Sequence, residues 1–168
     1  MKEPSSTYLI RLIERRDNPA VKDLVLKTLA EFNLHGEGYA GVDDELEDMY
    51  SAYKHHLSAY YVVEYHDGQI QGVGGYAPLL GTEPGTIAEL RKMYLSPQLR
   101  GQGIGQRIIE ICINAATEKS YQSIYLETVP SMKAAQKLYL KNDFEYLQHR
   151  LGHSGHNNCD VCMMRKLQ

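Results

Sequence analysis

Ser96-Pro97-Gln98-Leu99-Arg100-Gly101-Gln102-Gly103-Ile104-Gly105-Gln106-Arg107 is the most informative stretch of this 168-residue chain. It lies between a predicted strand over 86–95 and a predicted helix over 103–119. Its glycines let successive backbone N–H groups turn toward one point, and a helix N-terminus adds unpaired donors and partial positive charge there. A phosphate or pyrophosphate is the natural guest; the plainer alternative is a tight turn. A nucleotide-triphosphate loop needs Gly-Lys-Ser/Thr, but Gln106 and Arg107 follow Gly105. A dinucleotide loop needs Gly-x-Gly-x-x-Gly; counting from Gly101 or Gly103, the third position is Gln106 or Ile108.

Outward from the loop, the pattern predicts an alternating chain of short elements. Residues 8–13 read as a strand, and Asp17-Asn18-Pro19 opens a helix over 19–32 with Asn18 as cap. A glycine-bearing loop over 33–42 precedes a second helix, capped by Asp43 or Asp44 and running to about residue 56. Strands over 59–65 and 70–76 flank the turn His66-Asp67-Gly68-Gln69. Gly72, Gly74 and Gly75 suggest a bulge or a close backbone approach in the second of them. In the helix over 103–119, Ile104, Ile108, Ile111, Cys112, Ala115 and Ala116 form one apolar stripe, which makes Cys112 core. A strand over 123–129, a helix from Pro130-Ser131 through Tyr139, and strands over 144–150 and 159–167 complete the order. The order β-α-α-β-β-β-α-β-α-β-β predicts an α/β (α+β) domain over residues 1–168, with about seven mostly antiparallel strands and four helices. The 86–129 unit alone pairs parallel.

Arg100-x-x-Gly103-x-Gly105 resembles the acyl-CoA pyrophosphate loop of the GNAT N-acetyltransferase superfamily. The preceding Ala88-Glu89-Leu90-Arg91-Lys92-Met93-Tyr94-Leu95-Ser96-Pro97 supports it. So does Ala134-Ala135-Gln136-Lys137-Leu138-Tyr139-Leu140-Lys141-Asn142-Asp143-Phe144, which looks like the family's Ala-x-x-Leu-Tyr-x-x-x-Gly-Phe. Asp143 replaces the family's usual Gly past a helix end, where Asp tolerates the left-handed conformation. Ser131 stands where many relatives have Asn.

The resemblance implies an N-acetyltransferase using acetyl-CoA as donor and a primary amine of a small molecule, protein or peptide as acceptor, without metal. The alternative is a non-catalytic acyl-CoA sensor or scaffold. By resemblance, the donor is held by Gly101, Gln102, Gly103, Ile104, Gly105 and Gln106, by Arg100, by the strand at Met93, Tyr94 and Leu95, and by Ser131 and Ala134. Tyr139 is the implied general acid, since a phenol stays protonated at neutral pH and can donate to a thiolate; its alternative role is helix packing. Glu89 is the candidate base, its alternative being an exposed strand carboxylate paired with Arg91 or Lys92, and Glu127 is the reserve. The acceptor region is expected at Glu37, Tyr39 and the loop over 152–158. His153, His156, Cys159 and Cys162 recur every three residues, a zinc-like set, but odd offsets in a strand point to opposite faces. A hairpin loop at the acceptor mouth is the other reading.

Composition narrows the rest. Eighteen Lys and Arg against 21 Asp and Glu leave a formal charge of −3, a poor match to nucleic acid. Three cysteines make no disulfide framework. The polar start over 1–8 lacks an apolar signal core, and no stretch approaches the ~20 apolar residues of a membrane span. The expectation is a cytoplasmic monomer or homodimer that binds neither membrane nor nucleic acid.

Overall fold

The computed structural model describes residues 8–168, so all but the last residue of the polar start read over 1–8 lies outside the described residues. Seven strands form one sheet: β1 (Tyr8–Leu12), β2 (Ala59–Tyr65), β3 (Ile70–Pro78), β4 (Ile87–Leu95), β5 (Ser123–Thr128), β6 (Glu145–Leu147) and β7 (Val161–Lys166). Four helices accompany them: α1 (Asn18–Glu31), α2 (Met49–Ala52), α3 (Ile104–Glu118) and α4 (Lys133–Lys141). The strands lie in the order β1-β2-β3-β4-β5-β7-β6. All neighbours are antiparallel except β4 and β5, which α3 connects.

Alternation along the strands feeds two cores. On one face, Val21, Leu24, Val25 and Leu29 of α1 pack with Tyr60, Val62, Val73 and Ala77. On the other, Ile104, Ile108, Ile109, Cys112 and Ala116 of α3 pack with Val63, Tyr76, Leu90, Tyr139 and Phe144. Adjacent Val62 and Val63 point to opposite faces, as the period-two pleat requires.

Two expectations change in detail. The second helix breaks into a 3-10 turn at Asp44–Glu47 and the single turn α2, and the loop before it holds another 3-10 turn at Ala40–Val42. Asp43, Asp44, Glu45, Glu47 and Asp48 would repel one another at helical spacing, and Asp43 and Glu45 instead turn toward Lys92. The strand expected over 144–150 shortens to β6. Asp143 does take the left-handed conformation, with φ 62°.

The feature that shapes the site is in β4. Its pairing with β3 slips between Val73 and Gly75, and Lys92 in the slipped stretch has φ 45°. This is a bulge, which bends a strand and re-aims its side chains. Gly75 is required beside it: a Cβ there would lie 2.3 Å from the Ala59 carbonyl oxygen. Beyond the pairs Ile87–Ser123, Ala88–Ile124 and Glu89–Tyr125, β4 and β5 part. β5 stays with β7 through Thr128 and β4 with β3 through Leu95, so a wedge opens between them.

At the sheet's outer edge, Arg11 of β1 donates to Glu64 of β2 (2.6 Å) and to both oxygens of buried Asp17 (2.7 and 2.9 Å). Burial alone would raise the Asp17 carboxyl. Hydrogen bonds from Arg11 and the Glu14 N–H outweigh it and hold the group below the usual carboxylate range. A carboxyl depressed in the folded state adds stability that is complete above the unfolded value of ~3.9 and is lost as pH falls through the folded value. Asp17→Asn is expected to cost about 2–3 kcal/mol in urea unfolding at pH 7. The gap between variant and parent should close in acid below about pH 4.

Candidate active site

The Gly-rich segment leaves β4 through a 3-10 turn at Pro97–Leu99. Gly101 and Gly103 then adopt φ 74° and 78°, and Gly103 forms the N-terminal boundary of α3 with no side-chain cap. Among the described residues no acceptor meets the backbone N–H groups of residues 101–106. A row of unmatched donors at the positive end of a 15-residue helix favours an anion. Nothing lies within 4 Å of where a Cβ would sit on Gly101 or Gly103, so the row is open. Gly105 is buried, and a Cβ there would come within 3.0 Å of Leu138 on α4.

The loop's side chains are occupied elsewhere. Arg100 donates to both oxygens of Glu31 (2.8 and 3.2 Å) and to the Leu95 carbonyl (3.1 Å). Gln102 donates to the Gln98 carbonyl, and Gln106 exchanges hydrogen bonds with Asn142. Ile104 is core. The backbone is therefore what this loop presents.

The wedge beside it is a cleft lined by Met93 and Tyr94 of β4, Leu126 to Thr128 of β5, and Met132, Ala135 and Tyr139 on one side of α4. Tyr139 is 6% exposed, touches Phe144, and its hydroxyl bonds to no other described residue. Burial pushes its pKa well above the usual phenol value. Ser131 and Ala134 are exposed and off the cleft wall, where Ala135 stands instead. The helix period explains Ala134, because Ala135 lies one turn from Tyr139 and its neighbour points elsewhere; Ser131 precedes the first turn of α4.

The cleft floor is a buried charge network. Glu89, 3% exposed, accepts from Arg91 Nε at 2.8 Å through Oε2, while its Oε1 has no hydrogen-bond partner among the described residues. Glu89 is thus paired with Arg91, as its strand alternative has it, but it is buried on the cleft rather than exposed. Arg91 also lies 3.8 Å from Glu45. Lys92 Nζ reaches Asp43 at 2.6 Å and also bonds Glu45, and Asp43 accepts from or shares a proton with His156 Nε2 at 2.8 Å. Burial alone would raise the Asp43 carboxyl; His156 and Lys92 bring it below the usual range. Glu127 accepts from Tyr125 (2.6 Å) and from the Ser154 hydroxyl, with Arg150 Nε at 3.4 Å.

Tyr39 lines the cleft, whereas Glu37 is exposed and contributes its carbonyl to Asn158. The His/Cys tail points in several directions: Cys162 packs with Leu79 and Tyr125, His156 meets Asp43, and Cys159 lines the cleft with its thiol pushed up to about 12 by burial. Sequence reasoning missed Asp43, Glu45 and His156 as parts of one network. The only local signal was Glu89-x-Arg91, which period two puts on one strand face.

Lys92→Met is expected to lower stability by about 3–5 kcal/mol in chemical denaturation, because two partly buried carboxylates, Asp43 and Glu45, lose the ammonium that bridges them.

A sequence model of the acetyltransferase (GNAT) family matches residues 26–144. The chain is 38% identical over 160 residues, 95% of each chain, to the uncharacterized N-acetyltransferase YjgM of Escherichia coli (strain K12). An acetyltransferase of the GNAT family from Staphylococcus aureus shares the fold with TM-score 0.83 at 21% identity, covering 96% of this chain and 99% of that one. A phosphinothricin acetyltransferase from Sinorhizobium meliloti, solved in complex with AcCoA, has TM-score 0.74 at 18% identity over 95% of this chain and 88% of its own.

Proposed function

The chain belongs to the acetyltransferase (GNAT) family, and from that premise we propose how its residues divide the transfer of an acetyl group from acetyl-CoA to a primary amine. The observation that carries the reading is the row of unmatched N–H groups over 101–106, opening beside a cleft that contains the unbonded Tyr139 hydroxyl. Acetyl-CoA supplies an activated acetyl carbonyl and a thiolate leaving group.

The N–H groups of residues 101–106 hold the pyrophosphate charge, supported by the α3 dipole. Arg100 acts on the loop's base rather than on phosphate, since Glu31 and the Leu95 carbonyl already engage its guanidinium. The edge of β4 from Met93 to Leu95, released from β5 by the bulge, offers backbone groups to the pantetheine amides.

Glu89 takes a proton from the incoming ammonium through Oε1, directly or by one water, while Arg91 fixes the carboxylate through Oε2. The amine nitrogen then attacks the acetyl carbon, and the C–S bond breaks. Tyr139 gives its hydroxyl proton to the departing sulfur. The second proton released from nitrogen restores the tyrosine through solvent, so the net change is amide, thiol and one proton freed. Burial of Tyr139 keeps its proton in place throughout the neutral range.

Tyr139→Phe is expected to lower kcat by about 100-fold and to leave calorimetric affinity for acetyl-CoA unchanged. An unchanged kcat would remove Tyr139 from the reaction. Glu89→Gln should lower kcat/KM for the amine by a similar ~100-fold, read by free-thiol release. Gly103→Glu places a like charge in the N–H row where there is room for it. Acetyl-CoA and desulfo-CoA titrations should then show no binding, with the circular dichroism spectrum intact.

A further inference from the structure

Two segments far apart in sequence join at the acceptor end of the cleft and help line it, one around residues 37–43 and the other around 154–159. The Asn158 N–H donates to the Gly38 carbonyl (3.3 Å) and the Asn158 Nδ2 donates to the Glu37 carbonyl (3.0 Å). Gly38, at φ 85°, presses so closely that a Cβ there would lie 2.6 Å from Asn158 Nδ2. His156 meets Asp43 at 2.8 Å, and Asp43 is itself anchored to Lys92 of the floor. Tyr39 and Ala40 from the first segment, with His156 and Cys159 from the second, line the same cleft as Glu89 and Tyr139.

This joint is tied to the sheet on its far side as well. Arg150 donates to the Asn157 side chain (3.1 Å) and to the Cys159 carbonyl (2.9 Å). Ser154 donates to Glu127, and the His153 N–H donates to the Leu80 carbonyl at 2.7 Å. The segments thus use backbone and side-chain groups on each other and on the floor. A peptide, whose N–H and C=O groups need an open edge or groove, finds these partners taken.

The walls narrow the chemistry further. Leu29, Leu34, Tyr39 and Met132 are apolar or aromatic. Both floor cations are already paired, Arg91 with Glu89 and Glu45, Lys92 with Asp43 and Glu45. No floor cation is left for an acceptor's carboxylate, while Glu89 retains an unbonded oxygen for an ammonium.

We infer that the acceptor is a small primary amine on an apolar or aromatic body without a carboxylate, and that the joint between the 37–43 and 154–159 segments excludes peptides. The inference rests on the acetyl-transfer reading above. Free-thiol release would be compared for phenethylamine, phenylalanine and a pentapeptide with a free N-terminus and an internal lysine. Phenethylamine should exceed both in kcat/KM by at least about tenfold, the discrimination open to a pocket that leaves a carboxylate unpaired. A pentapeptide or phenylalanine that matches it overturns the inference, as does bound acetyl-CoA with no acceptor above the hydrolytic rate. Failure of the acetyl-transfer reading itself shows separately, as no calorimetric binding of acetyl-CoA.

Asn158→Ala removes one side-chain tie at an exposed position and should raise the peptide-to-phenethylamine ratio several-fold. Asn158→Asp, which keeps the backbone tie and loses the Nδ2 donor, is the second variant if the first does not fold. A ratio unmoved in the folded variant shows that the joint is not the gate.

Discussion

The bulge at Lys92 is the constraint on which the rest of this molecule depends. A regular β4 would continue its ladder with β5 and close the sheet, leaving neither a wedge nor a free strand edge. A lysine at φ 45° is an unfavourable backbone state, and three contacts hold it. The Tyr60 hydroxyl donates to the Lys92 carbonyl at 2.8 Å, while Asp43 and Glu45 grip its ammonium. Gly75 and its neighbours on β3 provide the close approach that the slipped register requires. Strain at one residue is thereby converted into an opening between two strands.

The same bulge explains why so much charge is buried under the cleft. Glu89 and Arg91 share one strand face, and the slip at Lys92 sends its side chain to the acidic segment after α1. Buried ion pairs contribute little net stability compared with apolar packing. Their value here is positional: they lock the 43–45 segment, the floor and His156 into one arrangement. The two ends of the cleft are therefore built on different principles. The loop over 101–106 presents backbone N–H groups and leaves its side chains to neighbours, whereas the end beside Asp43 and His156 relies on paired side chains and joined loops.

The parts of the site read from local sequence are those governed by local chemistry. Glycines that open a helix announce an anion cradle because only they reach φ 74° and 78° without cost. Tyr139 lies one helical turn past Ala135 and faces the cleft as the period requires. Ala134, one position before Ala135, turns away from the cleft, and Ser131 precedes the helix altogether. Gly36 and Gly38 carry the backbone around Glu37, whose side chain stays exposed outside the cleft.

Sequence by itself determined the element order, the parallel crossover, both apolar faces and the glycine loop that opens α3. Each of these follows from periodicity or from backbone freedom within a dozen neighbouring residues. Only the tertiary structure decided that Asp43, Glu45, Glu89, Arg91, Lys92 and His156 form one network, since the partners lie as many as 113 positions apart. It also decided that the acidic run after α1 would be 3-10 turns, because the pull of Lys92 acts through space and leaves no period in the chain. Long-range charge pairing and the splitting of β4 from β5 depend on which surfaces meet after folding, and local pattern does not encode that meeting.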